Sequence, residues 1–216
     1  MIYTFTAKAD EINISRKEIV AYLGYYGVQS DNLTEKLIDE CLEEFTETVD
    51  FKACYTLLPV ETKENICTEC LEFNSESLRK NLCECDEAYI FAATAGSESQ
   101  RLITKNSVIS PLRGIVADCI GSAAIEAFCD KFNASLKKKE FLRPRFSPGY
   151  GDLSIEYQKS ILEFLEAKKH IGLSLNDSMM MSPSKSVTAI IGIGKEKNKC
   201  KGPGCMICSG ENCPYR

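Results

Sequence analysis

The apolar run Ala88-Tyr89-Ile90-Phe91-Ala92-Ala93-Thr94, with acidic residues before it and Gly96 after it, constrains the fold more than any other stretch of the chain. It has the length and composition of a buried strand. A buried strand needs partners and covering layers, and the flanking sequence supplies both. The chain opens on a strand, followed by a helix that starts at the capping box Ser15-Arg16-Lys17-Glu18, carries Ile19, Val20 and Leu23, and stops at Gly24. A second helix has the stripe Leu37, Ile38, Cys41, Leu42 and Phe45, spaced three and four apart. It gives way to a strand through Ala53 to Val60, and the polar stretch Glu61 to Asn65 reads as a connection.

A short helix at Ser77 to Cys83 precedes the buried run. From Pro111 to Asn133 the spacing predicts a long helix with Ile115, Ile120, Ala124, Ala127, Phe128 and Phe132 inward, and with Gly121-Ser122-Ala123-Ala124 thin enough for close packing. Another helix is predicted over Ser154 to Lys169, with Tyr157, Ile161, Leu162 and Leu165 inward, basic residues in its last turn and Gly172 just beyond. Strands come next at Gly172 to Leu175 and Ser186 to Ile193, separated by the Met179-Met180-Met181 segment and Pro183. There is no βαβ repeat and no phosphate-binding glycine loop. Gly192-Ile193-Gly194 has no helix after it and reads as structural. The expected class is α+β: a largely antiparallel twisted sheet with flanking helices.

With 216 residues, 44% of them hydrophobic, the chain can bury one substantial core. The net charge of -5 argues against a nucleic-acid binder, because phosphate neutralisation needs a basic surface. Neither a signal peptide nor an apolar run long enough to span a membrane is present, so a cytoplasmic protein without membrane contact is expected. Twelve cysteines in such a chain point to reduced thiols that pack, bind metal or react. Cys41, Cys54 and Cys119 lie among apolar neighbours and read as core residues.

The segment Phe141-Leu142-Arg143-Pro144-Arg145-Phe146-Ser147-Pro148-Gly149-Tyr150 is irregular, stiffened by prolines and armed with guanidinium groups. Arg145 offers a planar fork to a carboxylate, Gly149 allows close backbone approach, and Tyr150 offers an amphipathic ring. On these residues alone a structural turn and a binding loop stand level. Arg145 to Tyr150, Arg-Phe-Ser-Pro-Gly-Tyr, resembles the Arg-Pro-Ala-Pro-Gly-Tyr segment that binds S-adenosylmethionine in the activation domain of cobalamin (vitamin B12)-dependent methionine synthase. The likeness continues through a helix into Lys169-His170-Ile171-Gly172, Ser178, Met180 or Met181, Pro183 and Ser186-Val187. Upstream, Ala124 to Phe128 resembles the helix that carries the family's ligand-binding glutamate, at Glu126 here. A looser likeness extends over most of residues 10 to 195. Phe146 and Ser147 depart from the family's proline and alanine, the family's N-terminal aspartate has no match, and the sheet is expected to end early, near Gly194.

The resemblance implies a free-standing activation domain over residues 1–195 that binds S-adenosylmethionine. Arg145 would take its carboxylate and Glu126 its cationic or hydroxyl donors, while Ser147, Gly149 and Tyr150 hold the remainder. It further implies support for reductive methylation of cob(II)alamin by positioning rather than acid-base chemistry, as a component of methyltransferase activity with no catalytic side chain of its own. The Asp-x-His-x-x-Gly motif of a cobalamin-binding module is missing, His170 being the sole histidine. The corrinoid is therefore expected on a partner protein, with a reduced electron donor. His170 itself reads as a helix-terminus residue, and Lys137-Lys138-Lys139 as a solvated run or a docking patch for an acidic partner.

Residues 196–216 form a cysteine-rich tail. Cys200, Cys205, Cys208 and Cys213 can converge as four thiolates on zinc or on an iron-sulfur cluster; the first three have a ferredoxin-like spacing, the fourth follows too soon for that fold, and a reduced or redox-active tail is the alternative. Cys67-x-x-Cys70 and Cys83-x-Cys85 carry no ligand role. Two other readings compete with reactivation. One is a non-catalytic S-adenosylmethionine sensor that docks a corrinoid enzyme, and the other is an iron-sulfur electron-transfer protein that keeps the fold without the ligand.

Overall fold

The computed structural model describes residues 1–62, 66–68, 70–136 and 141–194. The elements run, in chain order, β1 (Tyr3–Lys8), a single 3-10 turn (Ala9–Glu11), α1 (Arg16–Tyr22), α2 (Asn32–Thr48), β2 (Asp50–Pro59), β3 (Glu61–Thr62), β4 (Ile66–Cys67) and β5 (Glu72–Phe73). They continue with α3 (Glu76–Asn81), β6 (Cys85–Thr94), α4 (Gly96–Ile109), α5 (Pro111–Leu136), β7 (Phe141–Leu142), α6 (Tyr157–Phe164), α7 (Ala167–Ile171), β8 (Ser174–Leu175), β9 (Met181–Ser182) and β10 (Ser186–Gly194).

The main sheet has the order β1-β2-β6-β10-β7 and every pairing is antiparallel. The buried run lies in β6, flanked by β2 and β10, so Ala92 sits opposite Cys54 on one side and Thr188 on the other. Because strand side chains alternate between faces, β6 sends Phe91 and Ala93 into one core and Ala88, Ile90 and Ala92 into a second. In β10, Ala189 and Ile191 join the first core and Ile190 joins the second. Helices α1, α2, α4 and α5 cover the first face, and α3, α6 and α7 the second. The α+β class with an antiparallel sheet is borne out.

Local signals set several boundaries. Ser15 accepts a hydrogen bond from the Glu18 amide at the start of α1, and Asp31 accepts from the Leu33 and Thr34 amides at the start of α2. Cys41, Cys54 and Cys119 are buried, as their apolar settings predict. Pro111 opens α5, where its missing amide costs nothing. At Gly114, α4 and α5 press so closely that a Cβ would lie 2.7 Å from Cα of Ser107.

Two expectations are corrected, and one helix is added. Ile115 is 55% exposed and Val116 takes the inward position beside it. The helix expected over Ser154 to Lys169 breaks at Glu166, whose φ of 45° and ψ of 40° lie in the left-handed region. That break separates α6 from α7 and lets Leu165 and Ala167, on either side of it, both be fully buried. Finally, α4 has no counterpart in the apolar periodicity. Its buried positions are Ser99, Leu102, Ile103 and Asn106, of which two are polar. Asn106 is satisfied by the carbonyl of Leu102, by Glu44 and by Arg113, so tertiary hydrogen bonds replace the apolar stripe.

Candidate functional site

Residues 143 to 150 prolong the sheet edge beyond β7. The Arg143 amide donates to the carbonyl of Gly192 at 2.8 Å, and Phe146 and Ile190 exchange a pair of backbone hydrogen bonds at 2.9 Å each. The extended backbone sends neighbouring side chains to opposite faces. Phe146 therefore enters the second core, where it is 3% exposed, while Arg145 reaches α5 on the other face. Phe146 is one of the two departures from the resembled motif, and its amide donation is one that proline could not make. Here the loop is stiffened by pairing and burial instead of by a ring.

Ser147 to Tyr150 form a turn closed by the Tyr150 amide donating to the carbonyl of Ser147 at 3.1 Å. Pro148 precedes Gly149, whose φ is +88°, the arrangement of a type II turn that only glycine adopts without strain. Gly149 and Tyr150 are exposed, Ser147 is half-buried, and the Tyr150 ring meets Phe146 edge-on with centroids 5.9 Å apart. Two residues beyond the turn, Asp152 ties the chain to α3, accepting from the Ser75 hydroxyl at 2.6 Å and from the Glu76 and Ser77 amides at 2.8 and 3.1 Å. It thus caps α3 from outside that helix. The Ser75 hydroxyl, with these amides, holds the Asp152 carboxyl well below the usual carboxylate range. A group whose folded pKa is depressed stabilises the fold fully above its ordinary pKa, near 4, and loses that contribution as pH falls through the folded value. Asp152→Asn is accordingly expected to flatten the loss of stability below about pH 5 in urea titrations at stepped pH; an acid limb of unchanged slope would rule this out.

Arg145 gathers the charges. Its Nη2 donates to Glu126 Oε2 at 2.9 Å and its Nη1 to Asp130 Oδ1 at 2.7 Å. Glu126 and Asp130 stand four apart on α5, one turn above the other. The Arg145 side chain is 19% exposed, against 43% for Glu126 and 73% for Asp130. Burial works against the guanidinium's charge, but Cys129, Asp130 and Glu126 outweigh it and hold its pKa above the ordinary arginine value. Glu18, on α1, faces the same pair: burial first, then the charges of Asp130 and Glu126, raise its carboxyl above the ordinary value. Burial pushes the Cys129 thiol up to about 12, so it is protonated at neutral pH and serves as packing. A cleft of about 400 Å³ lined by Ser15, Glu18 and Asp130 opens beside this cluster. The larger hollow, about 610 Å³ between α6, α7 and the β8–β9 hairpin, is lined by none of the five expected ligand residues.

Of the five expected ligand residues, the fold brings Arg145 and Glu126 into contact and sets Ser147, Gly149 and Tyr150 in the adjoining turn. Sequence reading passed over Asp130 and Glu18. The helical spacing from Glu126 was a signal for Asp130, whereas nothing local pointed to Glu18. His170 lies in the last turn of α7, 3.6 Å from Glu166, with Gly172 at φ +71° just beyond. Cys70 and Cys83 are exposed and Cys85 is buried. Among the described residues no group of three or more His, Cys, Asp or Glu side chains could hold a metal ion, and no helix is long and apolar enough to cross a membrane. Lys137 to Lys139 and the tail cysteines Cys200, Cys205, Cys208 and Cys213 lie outside the described residues.

Residues 129–199 match the family model described as vitamin B12 dependent methionine synthase, activation domain. The matched stretch includes Arg145 to Tyr150 and begins three positions after Glu126. Among solved structures, the chain is similar to the MetH reactivation domain bound to AdoHcy, with a TM-score of 0.69 and 15% identity over 93% of this chain and 80% of that one. No curated protein matches the sequence. The resemblance carried by Arg145 to Tyr150 is borne out.

Proposed function

We propose, on the premise that the chain carries the activation-domain fold of vitamin B12-dependent methionine synthase, that it binds S-adenosylmethionine and supports reductive methylation of cob(II)alamin held by a partner protein. The observation that carries this reading is the meeting of Arg145 with Glu126. These residues stand 19 apart in sequence, each corresponds to a ligand-binding position of the resembled family, and the fold joins them at 2.9 Å. Such a site suits a zwitterionic amino-acid moiety, with Arg145 toward the carboxylate and Glu126 toward the ammonium or ribose hydroxyls. The exposed turn from Ser147 to Tyr150 would offer backbone and ring to the remainder.

The corrinoid, when docked, would supply the reduced cobalt that serves as methyl acceptor. The chain's own part would be to hold S-adenosylmethionine in place through Arg145 and Glu126, a task of orientation that needs no acid or base. The electron comes from a reduced donor. The tail belongs to the same proposal, with Cys200, Cys205, Cys208 and Cys213 as thiolate ligands of zinc or of an iron-sulfur cluster that would relay the electron.

Calorimetric titration of the anaerobically purified full chain with S-adenosylmethionine is the test. Saturable one-site binding is expected, and absence of saturable heat at millimolar ligand would overturn the reading. Iron, zinc and acid-labile sulfide measured on the same sample decide the tail: stoichiometric iron with sulfide means a cluster, stoichiometric zinc a structural site, and neither removes the metal from the proposal.

A further inference from the structure

Both terminal nitrogens of Arg145 already donate to acids of the chain: Nη1 to Asp130 and Nη2 to Glu126. A ligand carboxylate bound side by side to a guanidinium takes two parallel N–H donors. A ligand carboxylate that grips the Nη1–Nη2 end in this way competes with those two ion pairs for its donors.

The structure distinguishes the two carboxylates. Asp130 is 73% exposed and Glu126 43%, so Asp130 has more water to turn into and less to lose on release. Its backbone lies inside α5, so it can release Arg145 by side-chain rotation alone. Glu18 lines the cleft with Asp130 and feels the charges of both Asp130 and Glu126, and Lys131, the neighbouring cation, is drawn off to the carbonyl of Glu11 at 2.8 Å. Two carboxylates thus share one guanidinium while the charge of a third, Glu18, bears on both, a crowding that lowers the cost of moving the more exposed one.

We propose that Asp130 is a positioning residue for Arg145: it holds the guanidinium in the unliganded chain and yields its place to the carboxylate of the incoming ligand. This rests on the S-adenosylmethionine reading of the site and adds to it an internal competitor. Competition of this kind weakens apparent affinity by the fraction of time the latch is closed. For a largely exposed ion pair the factor is roughly two to six.

The experiment compares the full chain with Asp130→Asn, titrating each with S-adenosylmethionine and with its decarboxylated analogue, which lacks the group that competes. Asp130→Asn is expected to bind S-adenosylmethionine roughly two- to sixfold more tightly, with no tightening for the analogue. Asp130→Glu, which keeps the charge, should remain near the unmodified chain. Equal tightening of both probes would mean a general loosening of the site and would overturn the latch. Unchanged or weaker S-adenosylmethionine binding by Asp130→Asn would overturn it too, the weaker result placing Asp130 against the ligand's cationic part. Failure of the unmodified chain to bind S-adenosylmethionine is a separate outcome that removes the functional reading along with the latch.

Discussion

Arg145→Ala is expected to weaken S-adenosylmethionine binding about 30-fold or more while leaving the protein folded. Truncating one partner of a desolvated, hydrogen-bonded charge pair costs about 2–5 kcal/mol, and each 1.4 kcal/mol is a tenfold change in affinity. Arg145 qualifies, because its side chain is 19% exposed and is bounded by Cys129 below and by carboxylates outside. The change also removes the cation paired with Glu126 and Asp130, so the ligand's carboxylate would meet acids alone. Arg145→Lys should fall between, keeping the charge but not the planar fork. The measurement is calorimetric titration of each variant beside a thermal melt. Equal affinity of Arg145→Ala and the unmodified chain would dismiss Arg145 as the carboxylate's anchor.

The largest expected effect on stability is at Phe128. Phe128→Ala should lower the unfolding free energy by about 3–5 kcal/mol, through lost burial and a cavity that the surroundings cannot close. The ring is fully buried, stacked on Phe51 with centroids 5.1 Å apart and in contact with Phe5 at 5.7 Å. At roughly 2–4 °C per kcal/mol for a chain of this size, the melting temperature should fall by roughly 6–20 °C. Ile115→Ala on the same helix, at a site 55% exposed, should change stability by no more than about 0.5 kcal/mol. Comparable losses at the two positions in urea unfolding would contradict this account of α5. The contrast bears on function, because Phe128 seats the helix from which Glu126 and Asp130 reach Arg145.

Much of the fold is legible in the residues because local pattern and tertiary demand agree there. The buried run of β6, the Ser15 cap of α1 and the stripe of α2 each arise from the periodicity or capping chemistry of a few adjacent residues. Where the structure departs, a distant contact has overruled the local signal. Helix α4 lacks an apolar stripe because Asn106 is held by Glu44 and Arg113 from other elements. The break at Glu166 accompanies the burial of both Leu165 and Ala167, which one continuous helix would send to different faces. Phe146, which reads as a departure from a ligand motif, serves the second core and leaves the Arg145 face alone.

The sequence by itself determined the alternation of elements, the antiparallel α+β class and the chemical character of the segment from Arg145 to Tyr150. These depend on hydrophobic spacing, turn residues and side-chain type, all of which are properties of short stretches. Only the tertiary structure decided that Arg145 meets Glu126, that Asp130 occupies the other half of its fork, and that Glu18 closes the group from another helix. Charges separated by tens to more than a hundred residues meet only where packing brings their elements together, and that register is set by the cores on the two faces of the sheet rather than by any neighbour in the chain.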